Sequence, residues 1–126
     1  MPQLVYQQDP IRNSVRSLGA KWTLLVLRDI GFLKLNRFGE IKRNNPGLTA
    51  RVLSRRLRDM QKEGLIERRV SKDAVSYSLT ARGEDAVFIL LAFLRYGLRH
   101  HTGGKTGSPK LLPSFDAMIR QYRADS

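Results

Sequence analysis

Arg51, Arg55, Arg58 and Lys62 recur at i, i+4, i+7 and i+11 along one segment of the chain. At about 100° per residue they share one face of a helix, and Leu53, Leu57 and Met60 share the opposite face. Guanidinium and ammonium groups set out in this way do one kind of chemistry well. They make charge-assisted hydrogen bonds to anionic oxygen, and arginine can also bond a guanine edge through two donors. A merely solvated helix mixes its charges so that i,i+4 pairs offset one another. Here Asp59 and Glu63 lie to the side, and the stripe itself holds no acid. Four cations in line suggest an anionic partner broad enough to meet a whole helix. The DNA major groove, about 12 Å wide, is such a partner.

Other side chains join this candidate DNA-binding set. Ser54 and Thr49 carry hydroxyls that bond bases or phosphates, although helix capping alone accounts for Thr49. Arg37 precedes the helix before the stripe, and Arg69 and Lys72 fall in and beside the tip of a predicted hairpin, within reach of backbone phosphates. Arg68 is left out. It follows Ile66 by two, so strand alternation points both inward, where Arg68 would brace the stripe's helix.

The remaining reactive residues support little. "GGKT", Gly103 to Thr106, ends like a phosphate-binding loop, which makes nucleotide binding a remote alternative. That pattern needs a glycine where Arg99 stands, a strand before it and a helix after it, so a glycine-rich linker is the better account. His100 and His101 are adjacent and point in different directions, and no cysteine or third histidine completes a zinc site. No set of nucleophile, base and acid is apparent, so neither an enzyme nor a cofactor is expected. Trp22 could face a ligand, but Leu25 and Val26 beside it favour a core position.

These residues need elements to hold them. Pro10 to Leu18 reads as a short helix with proline at its favoured first position and Gly19 as its stop. "AKWTLLVLRDI" carries few charges and reads as a buried helix. "RFGEIKRNN" is a third helix, with Phe38 and Ile41 facing the core and Asn44-Asn45-Pro46 closing it. The stripe's helix starts at Thr49, a good N-cap, and stops at Gly64. The link from Pro46 to Leu48 is short, so the third and fourth helices form a helix-turn-helix. "LIERRVS" and "VSYSLT" then switch to strand-like alternation around "KDA", a hairpin. Thr80 caps a fifth helix reaching about Leu98. The predicted fold is mostly α with a small β-hairpin wing, a winged helix-turn-helix (α+β), with helical dimerisation elements at both ends.

The fifth helix is apolar nearly all round, so it must be covered on more than one side. A second copy of the chain is the natural cover, with Val87, Phe88, Leu90, Leu91, Leu94 and Leu98 as the candidate dimerisation residues. Residues 1–98 form the expected domain, and 99–110 a flexible linker. Residues 111–126 read as an amphipathic helix striped by Phe115, Met118, Ile119 and Tyr122, packed on the same domain or on the partner.

Composition agrees with a nucleic-acid partner. The net charge is +12 over 126 residues, and residues 34–72 alone carry +8, whereas residues 73–94 carry −2. A charge serving solubility would be spread more evenly. With 41% hydrophobic residues the chain is too apolar for a disordered basic tail. No cysteine is present, which excludes disulfides and thiol switching. "MPQLVYQQDP" lacks the pattern of a secretory signal, and the longest apolar run, Ala86 to Leu94, is too short for the roughly 20 residues of a membrane span. A cytoplasmic location without membrane contact is expected.

"SLGAKWTLLVLRDI", "RFGEIKRNNPGLTARVLSRRLRDMQKEGLI" and "YSLTARG" resemble the HxlR-type winged-helix transcriptional regulators of bacteria and archaea. The likeness covers roughly residues 9 to 98, with Gly-x-Lys-Trp, Arg-Phe-x-Glu, Leu-x-x-Arg-Leu and Tyr-x-Leu-Thr at four separate places. It implies a homodimer on double-stranded operator DNA of near-palindromic sequence, with the helix from Thr49 as recognition helix and the first and fifth helices as dimer surface. Oxidant-sensing members carry a cysteine ahead of the first helix, where this chain has Tyr6-Gln7-Gln8-Asp9. The predicted wing is also shorter than usual. An effector small molecule of unspecified chemistry stays open. The competing reading is an architectural protein that coats DNA through charge alone.

Overall fold

The computed structural model describes residues 8–101 together with residue 120. Five helices and one hairpin follow in order: α1 Pro10–Leu18, α2 Thr23–Gly31, α3 Phe38–Asn44, α4 Ala50–Lys62, β1 Ile66–Val70, β2 Val75–Leu79 and α5 Ala81–His100. The winged helix-turn-helix expected from the sequence is the observed fold.

Caps set the helix starts. Asp9 accepts from the Ile11 amide at 3.0 Å and Thr49 from the Val52 amide at 3.2 Å, each satisfying a donor that the helix leaves orphaned. The core gathers the inward faces of four helices. Val26, Leu27, Ile41, Leu53 and Val87 are fully buried, and Leu57, Met60 and Leu65 nearly so. Each such side chain contributes about 1.5–3 kcal/mol on burial. β1 and β2 pair antiparallel in the register Ile66↔Leu79 to Val70↔Val75. The Tyr77 amide donates to the Asn36 carbonyl at 2.8 Å, tying the wing to the loop before α3.

One residue fastens α4 to α5. The Thr80 hydroxyl donates to the Gly64 carbonyl and accepts from the Gly83 amide, while the Thr80 amide donates to the Leu65 carbonyl at 3.1 Å. Gly64 ends α4 at φ 75°, a left-handed conformation that glycine adopts without penalty. Gly83 lies so near the Leu65 carbonyl oxygen that a β-carbon would collide with it.

Some details depart from the sequence reading. Arg68 is exposed, although its partner across the hairpin, Tyr77, is buried. The core meets β2 at Val75, Tyr77 and Leu79 but β1 only at Ile66, so Arg68 stays at the surface and does not brace α4. Leu25, expected inside a buried helix, is 38% exposed. Trp22 packs against the core only in part, and its backbone is left-handed at φ 81°. α5 runs to His100, two residues into the stretch read as linker. Residues 102–110 of that linker, which include the "GGKT" segment, and the helix expected over 111–126, apart from residue 120, lie outside the described residues.

Candidate nucleic-acid interface

α4 is amphipathic in the sense its sequence requires. Leu53, Leu57 and Met60 are buried, while Arg51, Ser54, Arg55, Arg58 and Lys62 are all exposed. The fifth basic residue, Arg56, turns aside and pairs with Asp59 at 3.5 Å. The face opposite the core is therefore a row of cations with one serine beside it. Thr49 is exposed at the amino end of α4, though its hydroxyl is engaged in capping. Arg37 is exposed at the start of α3, where its amide donates to Glu40 Oε1 at 3.2 Å.

The wing places its cations at the far end of the hairpin. Lys72 is exposed in the loop 71–74, which is closed by the Ser71 amide on the Ala74 carbonyl at 2.9 Å. Arg69 is also exposed but stands 3.7 Å from Glu67, so part of its charge is offset locally. An exposed pair of this kind is weak, and a phosphate can displace it.

Sequence reasoning missed what holds the recognition turn. Asp29 of α2 is fully buried. Its Oδ1 accepts from Arg28 Nε at 3.0 Å and Asn44 Nδ2 at 2.9 Å, and its Oδ2 accepts from Asn45 Nδ2 at 2.7 Å. Asn45 Nδ2 also donates to the Ile41 carbonyl at 2.8 Å, and Asn45 Oδ1 accepts from Arg28 Nη2 at 3.1 Å. This network clamps the turn between α3 and α4 to α2, and so sets the angle at which α4 leaves the core. The available signal was an acid inside an otherwise apolar helix, "TLLVLRDIG", which cannot be buried without donors.

The candidate dimerisation residues separate into two groups. Val87 (fully buried) and Leu90 (8% exposed) belong to the chain's own core and have almost no surface for a second chain. Leu91 and Leu94 are half-buried, while Phe88 and Leu98 are exposed. Phe93 and Tyr96, absent from the expected set, are 58% and 60% exposed, and Ile11 and Val15 of α1 are 71% and 62% exposed. Among the described residues no group of three or more His, Cys, Asp or Glu could hold a metal ion, and no helix is long and apolar enough to cross a membrane.

A helix-turn-helix followed by a two-stranded wing, with a row of cations exposed on its second helix, defines the winged-helix class of regulatory proteins. Residues 17–103 match the model of the HxlR-like helix-turn-helix family. The chain is 34% identical over 95 residues to the helix-turn-helix-type transcriptional regulator YdzF of Bacillus subtilis, covering 73% of this chain and 87% of that one. It is 40% identical over 90 residues to a regulator of the same type from Methanothermobacter thermautotrophicus, covering 69% and 68%. Among solved structures, a possible HxlR family transcriptional factor from Thermoplasma volcanium is similar at TM-score 0.62 and 29% identity, covering 75% of this chain and 90% of that one. The redox regulator HypR in its reduced form is similar at TM-score 0.66 and 26% identity, covering 75% and 95%. The chain belongs to the HxlR-like helix-turn-helix family, whose members are transcriptional regulators and not enzymes.

Proposed function

We propose that the protein is a homodimeric regulator that binds specific, near-palindromic operators, with α4 in the major groove and the wing along the phosphate backbone. The observation that carries this reading is the exposed row Arg51, Arg55, Arg58 and Lys62 on a helix whose other face is locked into the core. Lys72 and Arg69 would contact phosphate, and Arg37 and Thr49 would fix the approach of α3 and α4. The exposed Phe93 and Tyr96 of α5, with Ile11 and Val15 of α1, supply the surface for a second copy. A two-fold partner also sets two recognition helices about 34 Å apart, one turn of DNA. In this reading the protein works in the cytoplasm without a cofactor.

Selection of genomic fragments followed by footprinting at physiological salt tests the proposal. A specific regulator protects discrete sites about 10³- to 10⁷-fold more tightly than random DNA. Uniform protection of every fragment would replace it with the architectural reading.

A further inference from the structure

The exposed side of α4 is not wholly ionic. Val52 lies in its first turn and is 38% exposed, next to Arg51 and about 60° around the helix axis from Arg55. Single apolar residues at a protein surface are common and normally need no explanation. Three features set this one apart. Among the described residues it is the only large hydrophobic side chain exposed on α4. It is also held rigidly: the Val52 amide donates to the capping hydroxyl of Thr49 at 3.2 Å, and the neighbouring Leu53 is fully buried. A β-branched side chain on such a backbone keeps essentially one χ1 rotamer. Finally, it brings nothing to the helix itself, because arginine or lysine at this position would favour the helix more and extend the cationic row.

We propose that Val52 is a specificity-determining residue, which recognises a thymine in each half-site through the 5-methyl group of the base. Short reach decides what Val52 can touch. Its methyls stay close to the helix backbone, so they meet only what comes right up to the helix, while the longer Arg51 and Arg55 can span to phosphates or to bases further off. The first turn of a recognition helix is the part that meets base edges, and here it holds Ala50, Arg51 and Val52. In the major groove the edges of guanine, adenine and cytosine present donors and acceptors, and thymine adds an apolar group, its C5-methyl. Valine against that methyl removes apolar surface from water on both sides. Valine against a donor or acceptor would strip its water and return no hydrogen bond, which selects against the other bases. The assignment rests on the operator-binding reading above and adds to it the identity of one base.

The footprinted operator provides the test. Replacing thymine by deoxyuridine removes the methyl and leaves base pairing unchanged. Deoxyuridine is placed in turn at each pair of corresponding thymines in the two half-sites, and binding of the full chain is measured. One pair should stand out, with a loss of about fourfold per half-site and about sixteenfold for both, as expected when a buried carbon contributes about 0.8 kcal/mol. Val52→Ala should lose a comparable factor on the thymine operator and become indifferent to deoxyuridine at that pair. The two changes together should then cost little more than either alone, the mark of groups in contact. Alanine is the better helix former, so the variant keeps its fold, and circular dichroism checks this. Losses that multiply would overturn the assignment, by giving the methyl contact to another side chain. A wild-type chain indifferent to deoxyuridine at every thymine would overturn it too. Both results leave the operator itself standing, whereas uniform protection of all fragments would remove the operator reading and this assignment with it.

Discussion

Arg55 sits mid-row on the exposed face of α4, and Lys72 on the hairpin loop. A base contact and a phosphate contact fail in different ways when removed. Arg55→Ala should cost roughly 1–3 kcal/mol at the cognate operator and flatten the ranking of operator variants. Lys72→Ala should weaken all sequences alike and lower the salt slope by about 1. Competition binding on an operator library at two salt concentrations separates the two, and an unchanged ranking for Arg55→Ala would remove α4 from base reading. Asn45→Leu should destabilise the fold by about 1–3 kcal/mol in urea unfolding, because Asp29 Oδ2 loses its donor inside the core. The arginine row was legible from spacing because helical period and charge alone define it. The Asp29 network was not, since its members lie 15 to 17 residues apart and meet only through tertiary packing.

Among the elements, caps and stops were the legible part: Pro10, Thr49, Gly64 and Thr80 all act at the positions their types suggest. Exposure along an element was harder to read, because it depends on what the chain brings alongside. Arg68 pairs with Tyr77 across the hairpin, yet the core takes β2 and leaves β1 beyond Ile66 exposed. Leu25 stands open because α1 and α5 leave a cavity beside it. Gly83 gives a test in which two effects have opposite signs. Glycine to alanine inside a helix normally stabilises by about 1 kcal/mol. At Gly83 the new methyl would collide with the Leu65 carbonyl, a backbone group that cannot swing aside. Gly83→Ala should therefore destabilise, by about 1–3 kcal/mol of overpacking, in thermal or urea unfolding. A rise in stability would show that the junction of α4 and α5 is looser than described.

For the molecule as a whole, the apolar character of α5 was legible, but which of its side chains stay at the surface was not. A helix apolar all round does not reveal which side its own chain will take, and Val87 and Leu90 went to the core. Phe93 and Tyr96 remain outside, so Phe93→Glu should leave the fold of each single chain intact by circular dichroism. It should also yield monomers in sedimentation and remove operator binding. A dimer that persists with Phe93→Glu would move the interface elsewhere. Thr80 gives this arrangement a mechanical consequence. Because it fastens the end of α4 to the start of α5, the proposed reading helix and the proposed dimer helix would form one lever. α5 has 20 residues, hence an arm of about 30 Å at 1.5 Å per residue. A tilt of about 5° where two such arms cross would shift each reading helix by roughly 2–3 Å, enough to put the pair out of step with the pitch of the double helix.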